Sequence, residues 1–187
     1  MRLDHIAYRV GNRHKTAKLF KRMFGYEIGI EFCIDFDDGS KAECIAMTPI
    51  EKDNPISKFI GIPWVTKSYG ISKPVEHHLA PEIFISDGAP GSIVGDWVKL
   101  HNGGGIHHMA YMTSHIHDEV SKWKKLGIEF LSNDIIDCPE DDLRQIFTKP
   151  LPELGGIIVE LIERGDKGFC QNSVKHLMNL SLIHISE

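Results

Sequence analysis

Three side chains in this sequence could form a metal centre: His5, His108 and Glu160. The two histidines open the same four-residue phrase, H-I-A-Y at 5–8 and H-M-A-Y at 108–111, 103 positions apart. Glu160 interrupts the branched aliphatic run Ile157–Ile162. Burying an unpaired carboxylate is too costly to be incidental, so it must face water, a cation or hydrogen-bond donors. On strand alternation Glu160 shares a face with Ile158 and Ile162. The competing reading is an edge strand with one wet face, the usual surroundings of a glutamate. Two imidazoles and one carboxylate leave coordination positions open. That set suits non-haem Fe(II) oxygen chemistry, and it also admits Mn, Co, Ni or Zn.

His107 competes with His108 for the ligand position. It lies one residue off the repeat register, and successive strand residues face opposite ways. The spacing therefore selects His108 and predicts His107 on the other face.

The elements that would carry these groups repeat as well. After His5 comes a helical stretch, Thr16 to Phe24, and then Gly25-Tyr26-Glu27-Ile28. After His108 comes another, His115 to Leu126, and then Gly127-Ile128-Glu129-Phe130. This is a duplicated strand–helix–strand unit, with one histidine at the same point of each copy. Arg2 to Val10 alternates as a strand with His5, Leu3 and Ala7 on one face. The first helix offers Leu19, Phe20, Met23 and Phe24 as its apolar stripe, with Gly25 at its end. Tyr26–Asp35 and Lys41–Met47 form a hairpin about Asp38-Gly39. Pro81 to Ser86 is the last strand of the first unit, and Ser92–His101 is a short helix presenting Ile93, Trp97 and Leu100. In the second unit Ile116, Val120, Trp123 and Leu126 mark the packed helix face, and a strand ends at Phe130-Leu131. Asp134 to Asp142 is an acidic turn region, Leu143–Lys149 a strand, and Ile157–Ile162 the final strand. Residues 171–180 can form a helix.

Composition bounds the function. The 187 residues carry 42% hydrophobic and 25% charged side chains with a net charge of −5. Those values fit a globular domain and leave no basic footprint for nucleic acid. No apolar run reaches membrane-spanning length, and with the first strand expected almost from residue 1 no signal peptide is expected. The four cysteines are scattered without a C-x-x-C pair, which fits a cytoplasmic protein without zinc ribbon or disulfide framework. Residues 49–80, with five prolines bounding or interrupting them, are expected to be a lid or binding loop. His77 and His78 within them are expected to face solvent.

The stretches LDHIAYRV (3–10), NGGGIHHMAYMT (102–113), LGIEFLS (126–132), LRQIFTKP (143–150) and IIVELIERGDKGF (157–169) resemble the vicinal oxygen chelate superfamily. Within it they resemble most the catalytic C-terminal half of the 4-hydroxyphenylpyruvate dioxygenases. The resemblance implies an α+β fold in which two βαββ modules pair into a cupped mixed β-sheet around a metal, with helices outside. It puts a domain at 1–170, with modules at 1–101 and 102–170, and a C-terminal helix and tail at 171–187. It implies His5, His108 and Glu160 as ligands of a divalent metal, Fe(II) foremost. It makes Gln145 the catalytic, substrate-orienting glutamine and places Phe147, Phe169 and Asn172 at the substrate. A homodimer acting on a small molecule is the implied assembly.

Three functions follow as expectations. The first is an Fe(II) dioxygenase acting on a small 2-oxo acid. The second is a non-redox epimerase or lyase, since NGGGIHH also resembles methylmalonyl-CoA epimerase and glyoxalase I. Those use a fourth ligand, Glu or Gln, on the last strand of module one. That position falls nearest Phe84, which cannot ligate; Glu82 shares its parity, and Glu43 is the candidate proton carrier. The third is a ligand-binding module of the same fold, which would have no need of a complete triad.

Overall fold

The computed structural model describes residues 1–49, 80–139 and 142–165. Its strands are β1 (Arg2–Val10), β2 (Glu27–Asp35), β3 (Lys41–Thr48), β4 (Glu82–Asp87), β5 (Gly104–Met112), β6 (Ile136–Cys138), β7 (Leu143–Phe147) and β8 (Ile158–Arg164). The helices are α1 (Arg13–Phe24), α2 (Ile93–Leu100) and α3 (Ile116–Lys125). The strands form one curled sheet in the order β2-β3-β4-β1-β5-β8-β7-β6. β1 runs parallel to β4, β5 runs parallel to β8, and β1 meets β5 antiparallel at the centre. The order is a palindrome of two four-strand units, as the duplicated phrase requires. Each unit runs β-α-β-β-β, so two modules of four strands share one mixed sheet.

The two faces of the sheet have different coverings. On the outer face Ile6, Tyr8, Ile45, Met47, Ile83 and Ile85 pack with Ala17 of α1. Ile146 and Leu161 pack there with Ile116 and Val120 of α3. The inner face carries His5, Ala7 and Arg9 from β1. α2 closes one end of it, where Ile93 and Val94 pack with Ile34, Phe36, Ala42 and Cys44. Asn12 caps α1 by accepting from the Lys15 N–H, and Gly25 ends it in the left-handed conformation at φ 73°, a backbone state that costs glycine little. The middle residue of the triple glycine has a tighter cause. A Cβ on Gly104 would stand 2.2 Å from the Arg9 carbonyl oxygen, and its φ is 107°. No side chain fits where β5 starts against the end of β1.

Several sequence expectations are corrected. Of the expected stripe of α1, Leu19, Met23 and Phe24 are exposed and Phe20 is partly buried; Ala17 is the residue buried on this helix. Leu100, the last residue of α2, and Leu126, the residue after α3, are likewise exposed. The segment ending at Phe130-Leu131 is no strand: it touches the sheet through an isolated bridge from Phe130 to Thr148. The acidic region 134–142 instead contains strand β6, which pairs with β7 from Ile136↔Gln145 to Cys138↔Leu143. β8 lies between β5 and β7, so Glu160 is on an interior strand and the wet-edge reading fails. The expected loop at 49–80, with His77 and His78, is described only at residues 49 and 80. The 171–180 helix lies wholly outside the described residues.

Candidate metal centre

The central strand pair is broken twice, and both breaks serve the site. Between β1 and β5 the partners run Leu3↔Tyr111 and then His5↔Ala110, passing over Asp4. They run Ala7↔His108 and then Tyr8↔Ile106, passing over His107. Each is a β-bulge, which adds one residue and re-aims its side chain. Leu3 is thereby moved opposite Tyr111, away from the face of His5. Asp4 and His107 are turned toward the histidine that follows each of them. The expectation that His107 and His108 face opposite ways is therefore overturned: their Nδ1 atoms are 2.9 Å apart.

His5, His108 and Glu160 converge on the inner face. His5 Nε2 stands 3.4 Å from His108 Nε2 and 3.3 Å from Glu160 Oε2. His108 Nε2 stands 3.5 Å from the same carboxylate oxygen. All three residues are buried, Glu160 to 2% exposure. With metal–nitrogen bonds of about 2.1 Å, donors at a right angle stand ~3.0 Å apart and tetrahedral ones ~3.4 Å. The triangle of donor atoms fits one divalent ion. Among the described residues no other His, Cys, Asp or Glu joins this group within 4.8 Å.

The surroundings tune the two imidazoles differently. His5 Nδ1 is hydrogen-bonded to Asp4 Oδ1 at 2.9 Å, and Asp4 is also bonded by the Arg164 guanidinium. Burial opposes charge on His5, but the carboxylates of Glu160 and Asp4 outweigh it and raise its pKa to about 9. Asp4 is pushed upward by burial. The His5 hydrogen bond and the nearby Arg164 more than offset that and hold it below its usual range. Burial, with cationic neighbours including Arg9, drives His107 and His108 well below the ordinary imidazole range, so both are neutral. Arg9 is pulled down by burial to about 9 and remains charged at neutral pH. It lies 5.4 Å over the Trp97 ring of α2.

Phe84 and Phe147 flank the triad. The Phe84 ring lies 4.7 Å from His5 and the Phe147 ring 5.9 Å from His108. Phe147 pairs directly with Glu160 across β7 and β8, and Gln145 pairs with Ile162. Both therefore share the inner face, as their parity predicts. Gln145 is 3% exposed, and its Nε2 has no hydrogen-bond partner among the described residues. A buried amide donor without a partner is costly and is the kind of group a bound molecule satisfies.

Other sequence candidates fall elsewhere. Glu82 pairs with His5 across the parallel ladder yet stays outside the cluster of donors. Glu43 shares the outer face with Ile45 and Met47 and is ion-paired to Arg13 at 3.5 Å. It cannot reach the inner face. Phe169 and Asn172 lie outside the described residues. Sequence reasoning missed Asp4, Arg9, Trp97 and Arg164. For Arg9 the signal was present, since its parity in β1 is that of His5; for Asp4 it was the acidic residue beside a ligand histidine.

Fold and donor set together define a vicinal oxygen chelate fold with a buried His-His-Glu triad suited to a divalent metal. No family model matches the chain. Among solved structures it is similar to a methylmalonyl-CoA epimerase at 20% identity and TM-score 0.59, over 89% of this chain and 97% of that one. The epimerase from Mycobacterium tuberculosis matches at 16% identity and TM-score 0.54, over 88% of each chain. A mutant 4-hydroxymandelate synthase from Streptomyces coelicolor matches at 18% identity and TM-score 0.70, over 96% of this chain and 53% of that one. This chain thus spans about half the length of the synthase. At such identities the likeness establishes the fold.

Proposed function

We propose that the chain is a divalent-metal enzyme of the dioxygenase type, with Fe(II) held by His5, His108 and Glu160 and a small 2-oxo acid as substrate. The supporting observation is the open donor set: three protein ligands on one side, with the phenyl ring of Phe84 where a fourth could stand. A bound Fe(II) would supply oxygen activation. The protein's own work is orientation and exclusion of water. The Gln145 amide would donate to a substrate oxygen, and Phe147 would pack against the substrate body beside His108. Phe169 and Asn172 are proposed substrate contacts from the resemblance.

The epimerase or lyase reading draws support from the epimerase structures, which this chain covers almost end to end. Among the described residues it lacks a fourth ligand, and Glu43, its expected proton carrier, lies on the outer face, ion-paired to Arg13. A domain at 1–170 with a tail at 171–187, a cytoplasmic location and a homodimer belong to the proposal. Exposed Ile28 and Ile30 on edge strand β2 support the homodimer. Among the described residues no helix is long and apolar enough to cross a membrane.

Anaerobic purification with metal analysis, followed by Fe(II) loading and oxygen uptake against aryl and alkyl 2-oxo acids, tests this reading. One Fe(II) per chain with substrate-dependent uptake is expected. Tight Co, Ni or Zn without uptake would shift the assignment to proton-transfer chemistry.

A further inference from the structure

We propose that His107 is the positioning residue of the His108 ligand: it accepts the His108 Nδ1 proton and so fixes which nitrogen of His108 faces the metal. The inference rests on the reading of the triad as a metal centre. His108 turns Nε2 toward His5 and Glu160, at 3.4 and 3.5 Å. A nitrogen that ligates carries no proton, so neutral His108 must carry its proton on Nδ1. The Nδ1 of His107 is 2.9 Å away. The polarity of that bond is then settled: His108 donates and His107 accepts, with its own proton on Nε2. The reverse polarity would protonate His108 Nε2 and close the site.

His107 is held for this task by more than its neighbour. The bulge in β5 brings it to the inner face. The Trp97 ring of α2 meets it edge-on at 5.5 Å. Trp97 is itself stacked on His101 at 3.7 Å, with Arg9 5.4 Å from its centre. Helix α2 thereby connects to the metal centre through two side chains. Module one has the counterpart: Asp4 occupies the other bulge and bonds His5 Nδ1 at 2.9 Å. The same device carries different chemistry in the two copies. An anionic partner makes His5 the stronger electron donor, and a neutral partner leaves His108 the weaker one.

The test uses the full chain loaded with Co(II), whose affinity is read by chelator competition. His107→Leu should weaken Co(II) binding by about 10–100-fold. His107→Asn, whose side-chain oxygen can accept in place of Nδ1, should restore most of it. Proton NMR of the Co(II) wild type should show two hyperfine-shifted exchangeable resonances, the Nδ1 protons of His5 and His108. One of them should be missing or exchange-broadened in His107→Leu. Equal affinities for His107→Leu and wild type, or equal losses in the Leu and Asn variants, would overturn the proposal. If His107→Leu does not fold, the wild-type spectrum decides: a single exchangeable resonance sinks it. A wild-type chain that takes up no Co(II) removes the metal centre itself, a distinct failure.

Discussion

Phe84 in β4 occupies the position that Glu160 occupies in β8. The equivalence follows from register: the alanine two residues after each site histidine pairs with Phe84 in module one, as Ala7, and with Glu160 in module two, as Ala110. A fully symmetric duplicate would have four ligands, and this chain has replaced the fourth with a phenyl ring 4.7 Å from His5. Phe84→Gln should therefore add a donor and tighten Co(II) or Zn(II) by roughly tenfold, ~1.4 kcal/mol, while lowering any oxygen uptake. Phe84→Leu should leave metal affinity unchanged. Chelator competition on both variants reads the difference, and no gain in Phe84→Gln would refute the equivalence.

Glu160 and Phe147 are paired across the sheet but should fail in different ways. Glu160→Ala removes the carboxylate that both imidazoles approach. Metal binding should be lost, and in the metal-free fold His5, left with Asp4 as its carboxylate partner, should give up its proton at lower pH than in the parent. Phe147→Ala opens a cavity at a fully buried ring and should cost about 3–5 kcal/mol of stability. The folded fraction should still bind metal with near-parent affinity and take substrate more weakly. Metal content per folded chain separates the two, and a Glu160→Ala chain with parent-like metal content would show that the donor set is wrong.

The sequence shows the centre of this fold more clearly than its margins. The echo of H-I-A-Y in H-M-A-Y locates the axis, because a duplicated strand must place equivalent side chains equivalently. Glu160 was legible because a carboxylate among branched aliphatics demands a partner. The bulges were not legible: alternation is a rule for unbroken strands, and nothing in Asp4-His5 or His107-His108 announces the inserted residue. Strand β6 was hidden because three residues between acidic neighbours carry too little pattern to outweigh turn chemistry. The stripe of α1 misled for a related reason. Spacing identifies an apolar face, whereas burial depends on how far the sheet extends beneath it, and β3 and β4 meet this helix mainly at Ala17.

Stability and metal affinity should respond to pH in opposite directions. In the metal-free fold His5 is raised from 6.5 to about 9 by the two carboxylates. A raised folded-state pKa contributes stability that is complete below about 6.5 and lost as pH climbs through about 9. Metal must displace the same proton, so its apparent affinity should rise over that window by up to about tenfold per pH unit. Melting temperatures of chelator-treated protein should fall between pH 6.5 and 9, while proton release on Co(II) binding declines. A flat melting profile across that range would mean that His5 is not held protonated by Glu160 and Asp4.

Gln145 offers the sharpest separation of function from folding. Its Nε2 is buried and without a hydrogen-bond partner among the described residues, so the folded protein bears a desolvation penalty there of about 1–3 kcal/mol. Gln145→Leu keeps the approximate volume and removes the orphaned amide. Stability should hold or rise by up to about 1 kcal/mol, and metal content should not change, because the side chain supplies no ligand. Turnover of the proposed 2-oxo acid substrate should fall by roughly tenfold or more, the loss of one substrate hydrogen bond of about 1.4 kcal/mol in the transition state. Melting temperature, bound metal and kcat/KM measured on one preparation test all three outcomes. A variant that loses stability as well as activity would show that the amide serves the fold, and Gln145 would then leave the list of substrate-facing groups.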